Sequence, residues 1–90
     1  MFYSPPRNKW LGDLIEMDDP ESARASARKL KREFKQSKTR ARKVKIKRAT
    51  VLAANRARAA ARKRNLSRRE RKELLEIAEI YEAAYKEMDL

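Results

Sequence analysis

After Pro20 the chain carries neither glycine nor proline for its remaining seventy residues. Gly12 is the only glycine, and Pro5, Pro6 and Pro20 are the only prolines. The two residue types that most strongly end or kink a helix are thus confined to the first quarter of the chain, and everything beyond reads as helix. The expected fold is all-α. It comprises an extended N-terminal arm, a long basic helix, whole or broken, and an amphipathic C-terminal helix folded back on it as a helical hairpin.

Two helix starts are written in the sequence. In Asp18-Asp19-Pro20-Glu21 an Asp can accept orphan amide hydrogens, Pro suits the first helical position, and acids favour the positive end of the helix dipole, so a helix begins at Pro20. At Ser67-Arg68-Arg69-Glu70 the serine and glutamate can cap each other's backbone amides, and Asn65 is a candidate left-handed terminus for the preceding helix. These signals divide the chain into an arm over 1–19, a basic helical region over 20–65 and an amphipathic acidic helix over 66–90.

The last helix, from about Arg68 to Met88, places Leu74, Ile77, Ala78, Tyr81, Ala84, Tyr85 and Met88 at the spacing of one buried face. Its other side carries Glu73, Glu76, Glu79 and Glu82, with Glu82 and Lys86 one turn apart for an ion pair. On one continuous basic helix, Ala23, Ala27, Leu30, Phe34, Ala41, Leu52 and Ala59 would share a narrow seam able to receive it. Unbroken from Pro20 to Arg64, that helix would be about 66 Å long. Ser37-Lys38-Thr39 and Ala49-Thr50 are the two places where it could break. Of the 37 hydrophobic residues 14 are alanine, so the core is expected to be thin.

Charge dominates the functional reading. Between Arg24 and Lys72 there are 22 Lys and Arg against Glu33 and Glu70, a local net of +20 inside a chain whose overall charge is +12. The C-terminal helix contributes −5 from Glu73 onward and cannot balance this. Phosphates would, by neutralisation and release of their counterions. Arg40, Arg42, Lys43, Lys45, Lys47 and Arg48 form the densest cluster, and Arg56, Arg58, Arg62, Lys63 and Arg64 a second in which alanines would let a helix approach a groove. These eleven residues are the candidate nucleic-acid contacts.

The second cluster resembles the basic region of leucine-zipper DNA-binding proteins, in which Asn precedes an Ala-Ala pair and further basic residues; here Leu74, Tyr81 and Met88 follow at seven-residue steps. The resemblance implies one continuous helix and a duplex DNA target. The alanine pair is displaced by one residue, and Ser67 with Glu70 interrupts the helix. A helix charged around its circumference suits insertion among several phosphate backbones better than one face of a duplex, so RNA is favoured over DNA. The composition is similar in type to that of small ribosomal proteins. The reading is a structural RNA-binding protein, ribosomal or ribosome-associated, with a DNA-binding or chromatin-associated protein as the alternative.

The N-terminal arm supplies a third class, a protein adaptor. Phe2, Tyr3, Trp10, Leu11, Leu14 and Ile15 are candidate docking residues for other proteins of a ribonucleoprotein complex, with the aromatics able instead to stack on bases, or a cover folded back over the hairpin. Cysteine and histidine are absent, which excludes disulfides, Cys/His metal sites and nucleophile-imidazole catalysis. The glutamate series Glu70, Glu73, Glu76, Glu79 and Glu82 rotates around its helix and reads as a solvated face. No enzyme activity, metal or cofactor is expected. No apolar run approaches the ~18 residues of a membrane span, and Met1 to Trp10 lacks the apolar stretch of a secretory signal, so a cytoplasmic location is expected.

Overall fold

A computed structural model of the chain describes Ile15 and residues 19–90, in which α-helix is the only regular secondary structure. Helix α1 spans Pro20–Gln36, α2 Arg40–Ala61 and α3 Arg68–Lys86. The helix α2 packs mainly against α3 as a hairpin, and α1 lies against the other flank of α3, touching α2 less.

The expected starts are present. Asp19 caps α1, its carboxylate accepting the Ser22 amide at 2.7 Å with Pro20 in the first turn. At α3 the Ser67 hydroxyl accepts the Glu70 amide at 3.1 Å, and the Glu70 carboxylate accepts the Ser67 amide at 3.3 Å. Each reciprocal bond satisfies a donor that the helix leaves orphaned.

The basic region breaks once, at Ser37 to Thr39. The Ser37 hydroxyl donates back to the Glu33 carbonyl at 2.7 Å, and Thr39 then caps α2 by accepting the Arg42 amide at 3.2 Å. A stop and a start thus stand two residues apart. The Ala49-Thr50 step stays helical. Buried Thr50 returns its hydroxyl to the Ile46 carbonyl at 2.8 Å, so the side chain is satisfied inside the helix.

That single break overturns part of the expected seam. Ala23, Ala27, Leu30 and Phe34 are buried on α1 as the spacing predicts. Ala41, Leu52 and Ala59 are exposed, because the three residues between α1 and α2 reset the helical phase. The face of α2 that enters the core is Ile46, Thr50, Ala53, Ala54, Ala57 and Ala61. Opposite lie Ile77, Ala78, Tyr81 and Ala84 of α3, with Met88 just beyond its end, as the sequence periodicity predicts.

Side chains from all three helices close into one core, with Ile15 packed against it. No buried side-chain nitrogen or oxygen among the described residues lacks a hydrogen-bond partner. The end of α2 differs from expectation. Asn65 is not left-handed, and no residue among those described has positive φ. The guanidinium of Arg71 satisfies that terminus instead, donating to the Ala61 carbonyl at 3.0 Å and to the Lys63 carbonyl at 3.1 Å.

Candidate nucleic-acid interface

Glutamates are the natural partners of so many cations, and α3 with its C-cap residue supplies them along both flanks. Toward α1, Glu76 meets Arg24 at 2.9 Å and Glu87 meets Lys31 at 3.0 Å. Toward α2, Glu82 pairs with Arg58 and also accepts from Lys86 at 3.1 Å. Glu73 meets Arg69 one turn earlier, and Glu70 is engaged in its cap. Glu79 is exposed. Glu76 and Glu82 of the series, with Glu87 at the end of α3, thus form an electrostatic clamp between the two basic helices and the acidic one, while Glu70 and Glu73 serve their own helix and Glu79 faces solvent. Among the described residues no cluster of three or more His, Cys, Asp or Glu side chains is placed to hold a metal ion.

Ion pairs remove two of the eleven expected phosphate contacts from the freely available set. Arg58 is half-buried against Glu82, and Arg42 lies 3.5 Å from Glu33 of α1. Lys43 is half-buried with its ammonium 5.4 Å from the centre of the Phe34 ring, a cation-π arrangement that fastens the start of α2 onto α1.

The other eight divide into three places. Arg40 is exposed in the first turn of α2, where the chain has no acid. Lys45, Arg48 and Arg56 are exposed and, by the 100° step of the helix, point away from the buried face through Ile46, Ala53 and Ala57, while Lys47 is half-buried at the flank. Arg62, Lys63 and Arg64 are exposed in the turn between α2 and α3.

Sequence reasoning passed over a further set. Arg28, Lys29, Arg32 and Lys35 are exposed on α1, and Arg28, Arg32 and Lys35 recur at one-turn intervals, the same spacing that marked the clusters on α2. Arg68 and Lys72 are exposed beside the turn. Cationic surface therefore lies on the outer sides of α1 and α2 and at the end of the hairpin. The positions Phe2, Tyr3, Trp10, Leu11 and Leu14 lie outside the described residues; Ile15 is half-buried against the core.

The hairpin also decides the leucine-zipper comparison. Its basic helix ends at Ala61, the chain reverses before Arg68, and Tyr81 and Met88 are buried against their own chain, so the continuous helix that the resemblance implies is not formed. Comparison with protein-family models, curated proteins and solved structures finds no match. Among the described residues no helix is long and apolar enough to cross a membrane.

Proposed function

We propose that this chain is a small structural RNA-binding protein of a ribonucleoprotein, ribosomal or ribosome-associated, which holds RNA by its phosphates. The observation that carries the reading is the charge left over after the fold has made its ion pairs. Ion pairs engage Arg24, Lys31, Arg42, Arg58, Arg69 and Lys86. Arg28, Lys29, Arg32, Lys35, Arg40, Lys45, Arg48, Arg56, Arg62, Lys63, Arg64, Arg68 and Lys72 are left exposed with no acidic partner among the described residues.

Like charges at this density repel one another, and a folded state that collects them on rigid helices is favoured when phosphates come between them. Their distribution supports RNA over one face of a duplex. The outer sides of α1 and α2 and the hairpin turn face different directions, which matches several backbone strands of a folded RNA.

Titration of the whole protein with a structured RNA, a DNA duplex and a single strand over a salt series tests this. With ~6 phosphates neutralised, log K falls with log salt at a slope of about −5 on duplex DNA and somewhat less on single strands. Tightest binding to the structured RNA is expected. A flat salt dependence on all three overturns nucleic-acid binding, and tighter binding to the DNA duplex transfers the reading to DNA.

A further inference from the structure

Leu52 is 54% exposed in the middle of the solvent face of α2. A large aliphatic side chain in water at the centre of the most basic helix contributes nothing to the core, and alanine there would favour the helix more. Val51 beside it is half-buried, and with Lys47 and Arg48 one turn earlier these residues line a shallow apolar hollow. Asn55, three residues after Leu52 and exposed on the same side, makes no side-chain hydrogen bond among the described residues. Arg56 is exposed one turn beyond Leu52. The arrangement is an apolar spot with an unused carboxamide beside it and cations before and after.

Charge selects the occupant. A second copy of the same face would bring Arg48 and Arg56 against their own counterparts, with no acid on either side to offset the repulsion. A paired RNA helix offers phosphates, 2′-hydroxyls and polar base edges but keeps its base faces stacked out of reach, so it has nothing apolar for Leu52. An unpaired base has an apolar face, an edge of donors and acceptors that a carboxamide can match, and a phosphate on each side.

Building on the RNA-binding reading above, we propose that Val51, Leu52 and Asn55 form a contact site for one unpaired RNA base, whose flanking phosphates are held by Lys47, Arg48 and Arg56. The base lies on Leu52 and Val51. Asn55 reads its edge, and the site gives the protein a preference for RNA interrupted by a bulge or loop over uninterrupted duplex.

The test uses the full chain and two RNA hairpins with equal numbers of phosphates, one fully paired and one carrying a bulge that contains the fluorescent base 2-aminopurine. The wild type should bind the bulged hairpin more tightly and change the fluorescence of the bulged base. Leu52→Ala should weaken binding to the bulged hairpin about fivefold, the loss expected for about 1 kcal/mol of apolar contact, and leave the paired hairpin and the salt slope unchanged. Asn55→Ala should reduce discrimination among bases placed in the bulge. Circular dichroism of both variants should match the wild type, since both residues are exposed.

Equal affinity of the wild type for the two hairpins overturns the site, as does an L52A variant that binds both as the wild type does or weakens both alike. In each case a steep salt dependence keeps the RNA-binding reading intact. A flat salt dependence on both hairpins removes that reading and the base site together.

Discussion

The Arg71 guanidinium, carried on the first turns of α3, donates to the carbonyl of Ala61, the last residue of α2, at 3.0 Å. Its second bond, to Lys63, makes one side chain the closure of the hairpin. The helix after the turn thereby finishes the helix before it, in a place where no residue takes the left-handed conformation that glycine commonly supplies.

Arg71→Ala should therefore destabilise the fold by about 1–3 kcal/mol, because two carbonyls lose a charged donor. For a domain of this size that is a fall in Tm of roughly 4 °C or more, readable by thermal denaturation. Arg71→Lys should recover only part of the loss, since an ammonium cannot reproduce the planar fork.

The phase of α2 gives a paired test on two alanines two residues apart. Ala57 is fully buried and Ala59 exposed. Ala57→Leu should cost about 1–3 kcal/mol by overpacking, while Ala59→Leu should stay within about 0.5 kcal/mol of the wild type. A continuous seam through Ala59 would predict the reverse, and urea denaturation of the two variants separates the cases.

Arg40 stands in the first turn of α2, at the positive end of the helix dipole, with Arg42 and Lys43 beside it and no acid. Arg40→Glu should stabilise the free protein by about 0.3–1 kcal/mol. The same change should weaken RNA binding and reduce the magnitude of its salt slope by about 1 if Arg40 holds one phosphate. Opposite signs in stability and affinity would mark the residue as placed for binding at the expense of folding.

Glu82 lies between Arg58 and Lys86 with much of its side chain covered. Glu82→Gln should lower stability by up to about 1 kcal/mol, less at high salt, as expected for a pair that solvent still reaches. Because the change frees Arg58, RNA affinity should hold or rise at low salt. Thermal melts and RNA titrations at two salt concentrations measure both effects.

Much of this fold is legible without coordinates, and the reasons are local. Asp19 and Ser67 announce helix starts through hydrogen bonds within four residues of themselves. The buried face of α3 can be read because Ile77, Tyr81 and Met88 contrast with the glutamates around them. On α2 that contrast is missing. Its core face is mostly alanine, its outer face carries Val44, Val51 and Leu52, and hydrophobicity alone points to the wrong side.

The candidate interface shows the same division. That cations dominate the middle of the chain is plain from composition, but the separation of Arg58 from Arg56 depends on Glu82, which only the folded hairpin brings near. The capping of α2 by Arg71 is equally out of reach, since donor and acceptor stand ten positions apart.

The methyl groups of Ala53, Ala54, Ala57 and Ala61 that line the hairpin interface also affect how the protein responds to temperature. Heat capacity rises on unfolding with the apolar area exposed, and an alanine contributes little of it. Calorimetry should give a ΔCp below the ~12–15 cal/mol/K per residue of ordinary domains. The curve of stability against temperature is then shallow, so a modest free energy of folding extends over a wide thermal range without a sharp optimum.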